Sequence, residues 1–175
     1  MRLRALLLSG IMVGLAVLLQ TAPIWLGQPV GFALAILACL PMAVAAAADP
    51  GTAALALPAA ALLCGLFQPE EGWIFGLTNG PFGVALGVAV RRGHSGWKGP
   101  LLPAITLFGG MALLTWGVGF PALGPNLTRL GLPAALIACG CFALVWSALC
   151  MPLARLLVRR TRPGLESWAG RGPSR

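Results

Sequence analysis

The chain has 175 residues, of which 58% are hydrophobic and only 9% charged. That balance excludes an ordinary soluble domain and points to an integral membrane protein. The net charge of +8 would suit a nucleic-acid surface only if the basic residues formed one patch. They fall instead in clusters between apolar runs, as topology signals do, so no nucleic-acid partner is expected.

Six apolar runs are legible, roughly 5–24, 30–48, 51–67, 72–90, 101–120 and 131–157. Each approaches the ~20 residues a helix needs to cross a bilayer. The expected architecture is therefore an all-α, polytopic domain of six transmembrane helices over residues 1–158, with a basic, disordered cytoplasmic tail over 159–175.

The first run, "MRLRALLLSGIMVGLAVLLQTAP", has the basic start and apolar centre of a secretory signal. Its "LLQTAP" end lacks a small-x-small cleavage pattern and places a proline in the way, so a retained first helix is expected. The following "PIWLGQPVG" is uncharged and rich in turn residues, with Trp25 suited to the headgroup level. In "AADPGTAA", Asp49 is positioned to cap a helix starting at Pro50.

"FQPEEGW" brings Gln68, Glu70 and Glu71 to the next turn. Adjacent residues on a helix diverge by about 100°, so the two acids do not make a ready bidentate site, and they suit the positive end of the following helix. The loop "VRRGHSGWKGP" contains the sole histidine, His94, with no neighbouring carboxylate or thiol to suggest catalysis or metal. The five cysteines fall within apolar runs, and Cys139 and Cys141 point to different helix faces.

Eleven of the twelve Lys and Arg residues lie in segments that share one side if the N-terminus is inside: Arg2, Arg4, Arg91, Arg92, Lys98, Arg155, Arg159, Arg160, Arg162, Arg171 and Arg175. Arg129 alone falls on the other side. This predicts that both termini are cytoplasmic, in a cell membrane.

The fourth run, "GWIFGLTNGPFGVALG", is unusual for a span because it carries so many weak helix formers. On a regular helix Gly72, Gly76, Gly80, Gly83 and Gly87 fall within roughly an 80° arc, with Asn79 beside them. Such a stripe is a groove for a close-packed helix, and an amide at bilayer depth must find a partner. Pro81 removes a backbone donor and can kink the span. The first span has its own close-approach pattern in Ala5, Ser9, Gly10 and Gly14. No paired acid and base, nucleophile triad or phosphate-cradling motif is present, so no enzymatic activity, catalytic residue, cofactor or metal site is expected.

Six short spans, a small-residue first helix, an uncharged first outer loop, a tight second turn and "TNGPFGVALGVAVRRG" closing the fourth span resemble the substrate-binding S components of energy-coupling-factor transporters. The resemblance covers residues 1–158 and rests on topology and glycine placement. It implies a membrane subunit that captures a vitamin-like small molecule at the outer face. A transmembrane coupling subunit and a pair of ATPases would then drive its uptake. It also implies that Ala5, Ser9, Gly10 and Gly14 contact the coupling subunit. The corresponding pocket residues would be Trp25, Gln28, Trp73, Asn79, Trp116 and Asn126, with indoles stacking on a flat ring and amides fixing its edge. A pocket so poor in charge suits an apolar cargo. Rod-shape-determining membrane proteins are similarly small and hydrophobic, and a structural or assembly role is the alternative class.

Overall fold

The computed structural model describes residues 2–93, 96–120, 124 and 131–170, with residues 2, 4 and 162–170 described by backbone only. Asn126, Arg129 and His94 lie outside the described residues. Among the described residues the chain is all-helical. Five helical stretches are long and apolar enough to cross a membrane: Gln28–Ala48, Pro50–Phe67, Pro69–Arg91, Gly96–Gly117 and Leu132–Thr161. A shorter apolar helix, Ala5–Gln20, precedes them. This is the build of a multi-pass membrane protein. Leu6, Ile11, Leu18, Leu55, Leu66 and Ile137 are among the large side chains left on its surface. A lipid-facing surface accommodates such residues.

The first apolar run is not one helix. The helix α1 (Arg2–Gln20) stops at Thr21, and a short α2 (Ala22–Leu26) carries Pro23 in its first turn. Proline has no N–H and disfavours α geometry in the residue before it, so the break falls where the sequence places it. Gly27, at a φ of 76°, then reverses the chain into α3 (Gln28–Ala35), a conformation that glycine adopts without penalty. A 3-10 turn over Ile36–Ala38 joins α3 to α4 (Cys39–Ala48), and these together form span two.

Asp49 stands at the head of α5 (Pro50–Phe67) with extended backbone, and its carbonyl accepts the Ala53 amide at 3.1 Å. Its carboxylate accepts from the Thr52 hydroxyl, and Asp49 makes no side-chain capping bond to the helix, so it heads α5 as expected but through its backbone carbonyl. Span four begins with α6 (Pro69–Ile74), passes through a π segment over Phe75–Asn79, and ends with α7 (Gly80–Arg91). Span five repeats the device, with α8 (Leu101–Ala112) running into a π segment over Leu113–Gly117. The last helix, α9 (Leu132–Gly170), continues past residue 158 into the basic stretch.

The helices run antiparallel, giving the bundle a glutamate end, where Gln20 meets Glu71, and an arginine end. At the arginine end Arg91 donates to the Ala48 carbonyl at 2.7 Å, and Ser147 of α9 donates to the Pro100 carbonyl at the head of α8 at 2.7 Å. The central pair is α4 against α7. On one side α1 and α5 complete a core of Val13, Ala16, Met42, Ala60 and Phe75. On the other, α8 and α9 complete a core of Cys39, Phe82, Leu86, Met111 and Cys150.

The five glycines of span four do not share one partner. A Cβ on Gly72 would lie 2.9 Å from the Gly65 Cα, and one on Gly76 3.2 Å from the Ala61 Cβ, both on α5. Gly83 and Gly87 face α4, where added methyls would lie 2.3 Å from the Cys39 and Ala43 carbonyl oxygens. Gly80, between the two sets, is closest to the Phe75 carbonyl of its own π segment. The reason is the π segment itself: an i→i+5 turn inserts one residue and rotates everything beyond it by about 100° relative to a regular helix. Span five approaches at the same level. Pro81 offers no N–H to the carbonyl four residues back, that of Leu77, and Gly110 of α8 packs against that oxygen so closely that an added Cβ would lie 1.9 Å away.

Two predictions follow from this packing. Gly83→Ala and Gly87→Ala each force spans two and four apart and lower stability by about 1–3 kcal/mol. Gly109→Ala, whose methyl meets open space, gains up to about 1 kcal/mol from helix propensity. Unfolding midpoints in mixed micelles measure both, and equal effects at the three positions would contradict the α4–α7 contact. At the tight turn, the Thr52 hydroxyl, with smaller contributions from the Gly51 and Thr52 amides and Arg91, holds the Asp49 carboxyl below its ordinary value. A depressed folded-state pKa means stabilisation that is present above the unfolded value of about 3.9 and lost as pH falls through the folded one. The acid limb of the stability profile should therefore flatten in Thr52→Val.

Candidate functional site

Polar side chains inside an apolar bundle are costly unless paired, so they mark where the sequence spends stability on something other than packing. At the glutamate end three of them form a chain. Gln20, the last residue of α1 and 2% exposed, donates from Nε2 to Glu71 Oε2 at 2.6 Å. Its Oε1 accepts from Asn79 Nδ2 at 2.8 Å. The second Asn79 N–H reaches the Ala35 carbonyl at 3.3 Å. A carboxylate can only accept, which fixes the orientation of the Gln20 amide and leaves its oxygen for Asn79.

Glu71 comes from the first turn of α6, and the other three partners are delivered by departures from regular helix. Gln20 ends α1 at the Thr21 break. Ala35 is the residue before the 3-10 turn of span two. Asn79 closes the π segment of span four, and π turns recur at functional sites because they re-aim side chains. The neighbouring Thr78 hydroxyl donates back to the Ile74 carbonyl, and the Thr21 hydroxyl to the Val17 carbonyl at 2.8 Å, so both buried hydroxyls are satisfied locally. Among the described residues no buried side-chain polar atom lacks a partner.

At the same end lies a recess of about 160 Å³, lined by Glu70 and Trp73 of α6 and by Val118, Gly119 and Phe120 beyond the π segment of span five. Glu70 and Glu71 thus diverge as adjacent helical residues do, one toward the recess and the other toward Gln20. A larger groove of about 390 Å³ runs along α8 and α9 between Leu101, Ile105, Phe108, Leu136 and Leu144. It carries no hydrogen-bonding side chain and offers no specificity for a polar ligand.

The residues expected from sequence are distributed as follows. Asn79 is in the polar chain and Trp73 in the recess. Trp25 is exposed and meets Phe67 edge-on, with ring centroids 6.1 Å apart. Gln28 is exposed at the start of α3, and Trp116, in the π segment of span five, is also exposed. Of the expected contact residues on α1, Ser9 is buried within the bundle, whereas Gly10 and Gly14 face open space. Gln20 joins the site from outside the expected set, and Glu71 joins it singly rather than as a pair with Glu70. Gln20 ends an apolar run, where polar residues are ordinary, and only its burial distinguishes it.

No family model, curated protein or solved structure matches the chain. Among the described residues no cluster of His, Cys, Asp and Glu could hold a metal ion.

Removing the Gln20 amide takes one hydrogen bond from each of its partners. Gln20→Leu should cost about 2–3 kcal/mol, because the half-buried Glu71 carboxylate loses its donor and the half-buried Asn79 amide keeps only the Ala35 carbonyl. With Asn79→Leu added, the combined cost should fall short of the sum by about 1 kcal/mol in a double-mutant cycle. Strict additivity would show that the two amides do not interact.

Proposed function

We propose that the protein is a non-catalytic, substrate-binding membrane subunit of an energy-coupling-factor transporter, with six spans and both termini cytoplasmic in the cell membrane. It would capture a vitamin-like small molecule at its outer, glutamate end and pass it to a transmembrane coupling subunit driven by partner ATPases. The observation that carries this reading is the Gln20–Glu71–Asn79 chain at the same end of the bundle as an open recess. A small-molecule site needs a few placed polar groups in mostly apolar surroundings. The polar chain ties spans one, two and four at one level, so a ligand bound beside it would act on three helices at once.

The bare face of α1 supports a partner contact. Methyls added at Gly10 and Gly14 would meet nothing, and small residues four apart let a second helix approach closely. The same openness supplies a clean control, since leucine there has room within the protein itself.

The test is affinity purification in mild detergent from the native membrane, with mass spectrometry of everything retained, for the wild type and for Gly10→Leu with Gly14→Leu. Co-purifying ATPases and a coupling subunit, lost from the double variant, are expected. Recovery of cell-wall or division proteins without an ATPase would overturn the reading and favour a structural role in envelope assembly.

A further inference from the structure

We propose that the recess at the glutamate end binds a small organic ammonium ion, with Glu70 as counter-ion and Trp73 and Phe120 as its aromatic walls. The proposal deepens the functional reading above by naming a class of cargo. It rests on that reading only for the step from binding to uptake.

Three observations converge. The recess joins one carboxylate to an indole and a phenyl ring, with Val118 and Gly119 completing the lining. A cation over an aromatic face is attracted by the ring quadrupole, and Trp is the strongest such partner. Gly119, at a φ of 81°, turns the chain sharply, and the Phe120 amide closes that turn on the Leu114 carbonyl at 3.0 Å. The wall facing α6 is therefore built by the end of the π segment.

Charge favours the same ligand. Two of the four acidic residues of the chain, Glu70 and Glu71, stand at this end, while eleven of the twelve Lys and Arg residues are expected at the opposite one, Arg129 being the exception. Glu71 is committed to Gln20 at 2.6 Å. Glu70 is exposed, and among the described residues its only hydrogen bond is from the Gln68 amide, at 3.5 Å, a long contact that an incoming cation readily displaces. At about 160 Å³ the space lies well below the roughly 300 Å³ at which drug-sized pockets begin. It suits an ammonium head rather than a fused-ring cargo. A hard metal ion is a poor fit, since one carboxylate among aromatic and aliphatic groups falls far short of its oxygen ligands.

A quaternary ammonium group could arrive as a free solute or as the headgroup of a choline lipid, and the recess would recognise either through the same chemistry. The experiment uses the full chain in nanodiscs of phosphatidylglycerol, titrated with choline or tetramethylammonium against sodium chloride at equal ionic strength. Binding is followed by calorimetry. Saturable binding of both ammonium ions is expected, weakened about fivefold to thirtyfold in Glu70→Gln and in Trp73→Leu. Both side chains are exposed, so unchanged unfolding midpoints should accompany the loss. In phosphatidylcholine nanodiscs, undiminished binding of soluble choline assigns the site to a free solute, and competition assigns it to the headgroup. Either outcome supports the ammonium chemistry. Binding no stronger than that of sodium, or binding unaffected by both substitutions, overturns it. ATPase co-purification without ammonium binding would leave the transporter reading intact and refute this cargo class alone.

Discussion

Spans two and four meet backbone to backbone, and the remaining helices take their places around that contact. Lipid tails supply no hydrophobic force to press two helices together, so their association depends on how closely the backbones approach. Gly83 and Gly87 leave no side chain between α7 and the Cys39 and Ala43 carbonyls of α4. The large residues on either side, Met42, Phe82 and Leu86, are fully buried. With that pair fixed, α1 and α5 fill one flank and α8 and α9 the other. The close approach of α8 follows the same logic, with Gly110 against the Leu77 carbonyl beside Pro81.

The polar groups follow a different economy. At the arginine end, Arg91 and Ser147 spend their donors on the helix-terminal carbonyls of Ala48 and Pro100. These contacts stitch ends together and leave the interior apolar. At the glutamate end, Gln20 and Asn79 lie within the bundle and bond chiefly to each other and to a carboxylate. The two ends thus divide labour, one closing the bundle and the other holding hydrogen-bonding capacity next to an opening.

Hydropathy alone marks five of the spans closely, because runs such as 51–67 and 72–90 are bounded by proline, acid or arginine. The first run misleads, since its Leu, Val, Ile and Ala keep the average hydropathy high across Thr21 and Pro23 and hide a break that geometry makes plain. The glycine stripe was legible as a packing device but not as two devices. Periodicity counts residues at a constant angle, and nothing in "IFGLTNG" announces that one turn holds an extra residue. Asn79 was visible as a polar residue in an apolar run, whereas its partners come from 59 and 44 positions earlier and no local pattern connects them. Glu70 and Glu71 diverge as their spacing predicts, one lining the recess and the other meeting Gln20.

The π segment of span four has a consequence for how this protein can change. Below it the helix answers to α4 through Gly83 and Gly87, and from its first turn upward to α5 through Gly76 and Gly72. The extra residue sets the phase between these halves, and losing or regaining it turns the upper half by about 100° while the lower half stays seated. Glu70, Glu71 and Trp73 all ride on the upper half. A single-residue deletion within 75–79 is therefore a larger structural step than most substitutions: it re-aims the glutamate end as a unit and leaves the seam that holds the bundle together in register.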